Sequence, residues 1–371
     1  MKVCILSMQR VPNFGSLLQS YSLKKQIESF SHEVAFIDIE PNENDNILRK
    51  GRIEDYSFET GKKGFLAKIK KIDRYMLNRF HIRRLSRKQS YLFEEFRRTE
   101  LCMDNSNNQQ SYDYCVIGSD EVFNCNAATP WGFTSQLFGN VKQAEKVITY
   151  AASCGSTRYE NVQEDVRDKI KESFKRISAF SVRDKNTEEF VFHINGILPN
   201  IHLDPVLIGN FDAEIEREKL PNQIPERYCI VYSYYNRIND REEIDQIKKF
   251  CKKHSMEIVT VGAPQMWVRH HLVLTPFQML KVFQNAKFVI TDTFHGTIFA
   301  VKYAKKFATI VRASNENKLM DLLKRMMIEN HHIKSMTEIE KAYSQEKPQE
   351  KIKQIISEER EKAISYLQKS L

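Results

Sequence analysis

The chain has 371 residues, 41% of them hydrophobic and 11% aromatic, and a formal net charge of +9. That length exceeds one ordinary domain, and the apolar content supports packed cores, so an intrinsically disordered chain is excluded. No run of about 18 apolar residues occurs, so no membrane-spanning helix is predicted.

Met1–Ser7 opens the chain with an apolar run too short for a signal peptide. Lys2–Met8 reads as a first strand, nearly continuous in apolar residues and therefore covered on both faces. The turn that follows holds Pro12, Asn13, Gly15 and Ser16, and a helix after it carries Leu17, Leu18, Tyr21, Leu23 and Ile27. A strand, turn and helix with Gly15 and Ser16 at the helix start suit an anion or a sugar. The G-x-G-x-x-G pattern of dinucleotide sites is missing. Glu33–Ile39 is the second strand.

Between Lys62 and Arg98 stand thirteen basic residues against three acidic ones, which alone exceeds the imbalance of the whole chain. Apolar residues from Phe65 to Leu85 are threaded through the stretch. A basic amphipathic segment of this kind fits an anionic membrane surface, at about 1 kcal/mol per Lys or Arg. A solvated helix pair packed on its domain fits the same pattern. No nucleic-acid module is legible around it, so nucleic acid is not the expected partner.

Tyr112–Gly118 is the third strand and feeds a polar loop, Ser119–Asp120–Glu121–Val122–Phe123–Asn124. Acids and an amide at a strand end point to function. Val147–Ala152 and Ile177–Val182 are the fourth and fifth strands. Arg183 follows directly, and its planar fork can hold a carboxylate or phosphate; an ion pair with Asp184 is the plainer alternative. Seven scattered cysteines (Cys4, Cys102, Cys115, Cys125, Cys154, Cys229 and Cys251), never spaced as C-x-x-C, predict reduced thiols on the cytosolic side and no metal site.

Phe211–Glu226, with Pro221, Pro225 and many charges, marks a domain boundary. The alternation then restarts: strand Tyr228–Tyr234, helix Arg241–His254, strand Met256–Gly262, helix Pro276–Gln284 and strand Ala286–Ile290. Next comes the turn Asp292–Thr293–Phe294–His295–Gly296–Thr297, then a helix and the strand Phe307–Val311. His295 is the one side chain of that turn that exchanges a proton near neutral pH. Pro348–Leu371 reads as one amphipathic helix packing back across the junction. The predicted fold is α/β: two Rossmann-like doubly wound domains, 1–210 and 211–345, facing a cleft, with a C-terminal helix over 346–371.

Six stretches together resemble the polysaccharide pyruvyl transferase family. They are Asn13–Gln19, Gly118–Asn124, Tyr150–Ser153, Ser181–Asp184, Leu203–Leu207 and Thr291–Gly296. The resemblance implies a fold like that of GT-B glycosyltransferases. It also implies transfer of a pyruvyl group from phosphoenolpyruvate onto two hydroxyls of a sugar, making a ketal and releasing phosphate. The acceptor would be a cell-surface polysaccharide or its lipid-linked precursor, met in the cytoplasm or at the inner membrane face. No cofactor is implied beyond phosphoenolpyruvate as donor substrate. On this reading His295 is the acid/base, with Asp292 and Asp120 as further catalytic groups. Arg183 clamps the donor, Gly296 and Thr297 bind substrate at the same turn, and Asn13, Gly15, Ser16, Gln19, Ser119, Glu121 and Asn124 face the sugar. Many members of the family carry an arginine two positions before the histidine, where this chain has Thr293; Lys302, Lys305 and Arg312 are the expected substitutes. A glycosyltransferase with a nucleotide-sugar donor, and an inactive glycan- or membrane-binding homologue, are the two other readings of the same frame.

Overall fold

A computed structural model describes residues 1–41, 70–126, 128–312 and 315–371, and only the backbone of 70–81. The first eight residues of the basic stretch, 62–69, lie outside the described residues. The first sheet contains β1 (Lys2–Leu6), β2 (Glu33–Phe36), β3 (Tyr112–Ile117), β4 (Ala144–Thr149) and β5 (Ile177–Ala179), all parallel, in the order β2-β1-β3-β4-β5. A short parallel pair, β6 (Ser181–Val182) and β7 (Asn200–Ile201), continues beyond it. The second sheet contains β8 (Tyr228–Tyr232), β9 (Glu257–Val261), β10 (His270–Leu272), β11 (Phe288–Thr291), β12 (Phe307–Ile310) and β13 (His332–Ile333), in the order β10-β9-β8-β11-β12-β13. These are the two doubly wound orders, and each reverses once: between β1 and β3, and between β8 and β11. Ligands of open α/β sheets bind outside the strand ends at such reversals.

The sequence explains why these strands lie inside. β1 and β8 read Lys-Val-Cys-Ile-Leu and Tyr-Cys-Ile-Val-Tyr, and all but Lys2 are buried. The helices are α1 (Phe14–Glu28), α2 (Lys70–Thr99), α3 (Glu164–Phe174), α4 (Lys185–Asn195), α5 (Pro205–Ile208), α6 (Asp212–Arg217), α7 (Arg241–Lys253), α8 (Pro276–Asn285), α9 (Phe294–Tyr303), α10 (Glu316–Arg325), α11 (Ile339–Ser344) and α12 (Gln349–Ser370). No described helix is long and apolar enough to cross a membrane.

Four differences from the sequence reading have physical causes. The fourth strand lies three residues earlier, because Ala151 adopts a left-handed φ of 45° and interrupts the ladder, leaving Ala152 in isolated bridges to Asp120 and Val182. The fifth breaks at Phe180 into β5 and β6. The proline-rich boundary segment contains α6, held to α8 where Lys281 Nζ donates to the Ile215 carbonyl at 3.1 Å. Arg97, counted with the basic stretch, is buried, and its guanidinium donates to the carbonyls of Gln9, Arg10 and Val11 at 2.7, 3.0 and 3.3 Å. It fixes the loop that leads from β1 into α1.

One apolar cluster runs through both halves, from Val3, Phe14 and Tyr21 through Phe96 and Phe211 to Phe277, Phe283 and Phe299. α12 crosses between them. Near its start Lys347 donates to the Val301 carbonyl at 2.9 Å, and near its end Tyr366 donates to the Thr149 carbonyl at 2.9 Å.

Candidate active site

The two sheet reversals face each other across a cavity of about 350 Å³. This lies at the small end of the usual range for ligand pockets. From the first half come Asn13, Ser16, Asp120, Glu121, Asn124 and Arg183; from the second come Thr293, Phe294, His295 and Lys318. Two helix N-termini meet there. Asn13 caps α1 by accepting from the Ser16 N–H at 2.8 Å, and Thr293 caps α9 by accepting from the Gly296 N–H at 3.0 Å. The remaining first-turn N–H groups have no intrahelical partner, and their dipoles favour an anion.

Asp204, the N-cap of α5, anchors the site from below. It is fully buried and shared: Arg183 Nη1 donates to its Oδ2 at 2.9 Å, and His295 Nε2 lies 3.5 Å from the same oxygen. Burial alone would push the Asp204 carboxyl up, but His295 and Arg183 overcome it and hold it at about 2. His295 thereby faces a carboxylate from the other half of the molecule. Arg183 stacks 4.2 Å from the Phe294 ring centroid and stands 3.9 Å from Asp120, which also accepts from the Ser16 hydroxyl at 2.9 Å.

A second cation stands beside the first. Lys318, on α10, ion-pairs with Glu121 across the cavity, 6.0 Å from the same Phe294 ring. Burial would raise the Glu121 carboxyl; Lys318, Asn124 and Arg183 hold it down at about 2. Without ligand the cations Arg183 and Lys318 are thus matched by Asp120, Glu121 and Asp204. An anion entering here gains two cations only by replacing a carboxylate beside them.

His295 also leans on the other half of the molecule through steric contact. A Cβ placed on Gly15 would lie 2.2 Å from both Cγ and Nδ1 of the His295 ring. Gly15→Ala therefore forces the imidazole off Asp204. A misplacement of about 1 Å at a reacting group costs on the order of 100-fold in rate. The expected result is that loss in turnover with a stability cost of only about 1–3 kcal/mol, read by comparing kcat with a thermal melt.

The sequence model of the polysaccharide pyruvyl transferase family matches residues 13–314. The chain belongs to that family. No curated protein matches it. Among solved structures it is similar to UDP-N-acetylglucosamine 2-epimerase from Rickettsia bellii, at 12% identity and a TM-score of 0.50, covering 99% of this chain and 98% of that one. A Streptomyces sp. SF2575 glycosyltransferase complexed with thymidine diphosphate aligns at 9% identity and a TM-score of 0.47, covering 100% and 99%. The epimerase likeness speaks for the fold alone: two Rossmann-like domains facing a cleft in the GT-B manner.

Of the stretches that carried the resemblance, the structure brings together those at Arg183, His295 and the 118–124 loop. Other expected site residues of the family pattern turn inward. Gln19 is fully buried; its amide donates to the Ser7 and Ser20 hydroxyls at 2.8 and 2.9 Å and accepts from the Ser119 N–H at 3.2 Å. Ser119 is buried too and donates to the Ala151 carbonyl at 3.1 Å. Both brace the acidic loop from behind. Thr297 donates backward to the Thr293 carbonyl at 2.9 Å and meets Thr309 at 3.2 Å, while the Gly296 N–H is spent on the Thr293 cap. Asp292 is fully buried behind the turn, 3.3 Å from Arg237 Nε and 3.6 Å from Arg312 Nε. Burial raises its carboxyl against the pull of those arginines. None of these five lines the cavity.

The expected replacements for the family arginine are also occupied elsewhere. Lys302 donates to the Val206 carbonyl at 2.8 Å on the far side of α9, Lys305 is exposed, and Arg312 holds Glu243 at 2.8 Å. The second cation beside Phe294, after Arg183, is Lys318. Sequence reasoning missed it because no helix was singled out between Val311 and Pro348, where α10 carries Lys318. Asp204 stood in a family stretch, and only its geometry reveals a role.

Proposed function

We propose that the chain transfers the pyruvyl group of phosphoenolpyruvate to two hydroxyls of a sugar, in a polysaccharide or its lipid-linked precursor, forming a ketal. The observation that carries this reading is the convergence of His295 and Arg183 on Asp204, beside Lys318 and between two helix N-termini, in a member of the pyruvyl transferase family. Phosphoenolpyruvate carries a carboxylate and a phosphate, which two cations and the free N–H groups suit. Its arrival replaces Glu121 as the partner of Lys318. That frees Glu121, with Asp120, Asn124, Asn13 and Ser16, for sugar hydroxyls.

The proton balance gives His295 its task. As the first hydroxyl oxygen bonds to C2, C3 takes up a proton and becomes a methyl group. The C2–O bond to phosphate then breaks and the second hydroxyl closes the ring. Of the two hydroxyl protons, one ends on C3 and the other leaves with phosphate. His295, held by Asp204, relays them as general acid and base.

The test is phosphate release from phosphoenolpyruvate with a panel of free and lipid-linked sugars, together with calorimetry. Acceptor-dependent release, with phosphoenolpyruvate bound in the absence of acceptor, is the expected result. A chain that binds no phosphoenolpyruvate and releases no phosphate with any acceptor overturns the reading.

A further inference from the structure

α2 has two faces with different occupants. Leu85, Ser86, Gln89 and Phe93 line the cavity, and Ile82, Phe96 and Arg97 are buried against the protein. Gln89 fastens this face to the second half of the molecule: its amide donates to the Leu274 carbonyl at 2.8 Å and accepts from the Leu274 N–H at 3.1 Å. Successive residues of a helix turn by about 100°, so Arg83, Arg84, Arg87, Lys88, Tyr91, Glu94, Glu95 and Arg98 fall on the opposite side. All eight are exposed. From residue 83 on, the acids are confined to the end of the helix, where Glu94 holds the buried Arg97 at 2.6 Å. From 83 to 91 the outer face carries four cations, no acid and an aromatic ring that is 68% exposed.

We propose that this outer face of α2 docks the protein on an anionic lipid bilayer. Cations on one side of a rigid helix meet a plane of head groups together, and a tyrosine among them sits well at a water–lipid boundary. The opposite face bounds the cavity through Leu85, Ser86, Gln89 and Phe93, so α2 stands between the cavity and a bilayer met by its outer face. The site's chemistry does not enter this argument, so docking and pyruvyl transfer stand or fall separately.

The experiment is co-sedimentation of the full chain with phosphatidylcholine vesicles, with and without added phosphatidylglycerol. It is repeated with the variant Arg83→Gln, Arg84→Gln, Arg87→Gln, Lys88→Gln and with Tyr91→Ala. Each cation is worth roughly fivefold in partitioning. The wild type is expected to bind anionic vesicles only, less well as salt rises. The fourfold variant should lose at least about 100-fold, and Tyr91→Ala a smaller factor, with circular dichroism unchanged. Equal binding to neutral vesicles overturns the proposal, as does undiminished binding of the fourfold variant. Tighter binding to duplex DNA than to anionic vesicles, lost in the same variant, reassigns the face to nucleic acid and overturns it too.

Discussion

Replacing His295 with alanine is expected to lower acceptor-dependent phosphate release by about 10²- to 10⁴-fold, the usual worth of a positioned acid/base group. Phosphoenolpyruvate affinity should change far less, because Arg183 and Lys318 remain. The fold should persist as well. Asp204 keeps Arg183 as a partner at 2.9 Å, and the His295 side chain fills a site open to the cavity rather than the core. Turnover, calorimetric affinity and a thermal melt measured on the same preparation check all three statements. A variant with normal turnover would remove the proton relay from His295.

Asp204→Ala should have the largest effect on stability. It strips the buried Arg183 of its closest counter-ion and removes the group that orients His295. Breaking a buried pair from one side costs about 3–5 kcal/mol, a large part of the roughly 5–15 kcal/mol that holds a domain together. The pH dependence follows from the depressed carboxyl. Because Asp204 is held at about 2 when folded, against an ordinary value of about 3.9, it stabilises the fold fully above about pH 4. That contribution is lost as pH falls toward 2. Glu121, also held at about 2, adds to the loss in the same direction. Urea unfolding at pH 7 and pH 3 checks this: the wild type should weaken between the two, and Asp204→Ala should start weaker and fall less.

Much of the fold was legible because parallel strands covered on both faces leave nearly unbroken apolar runs, as in Tyr228–Tyr232 and Phe288–Thr291. β10 was not, since His270–His271–Leu272 is a half-buried edge with no apolar period. In the site, Arg183 and His295 stood out because Arg183 directly follows such a run and His295 lies in the turn after one, each inside a family motif. Gln19, Ser119, Gly296, Thr297 and Asp292 belong to the same motifs, but a motif does not say which members face the ligand and which hold the loop. Lys318 could not be read, because it reaches the cavity through the packing of α10 against the turn at Phe294. The residues of α2 were read as one basic amphipathic stretch, which singled out neither the cavity wall at Leu85, Gln89 and Phe93 nor the buried Arg97.

The 3.5 Å approach of His295 to Asp204, and its seat against Gly15, join groups supplied by opposite halves of the molecule. A small parting of the halves would break both contacts, leaving an imidazole with no fixed direction. An activated enol ester such as phosphoenolpyruvate is exposed to water whenever its acid is in place. On the proposed pyruvyl transfer, tying that alignment to closure of the two halves would keep the donor from hydrolysis while no sugar is bound.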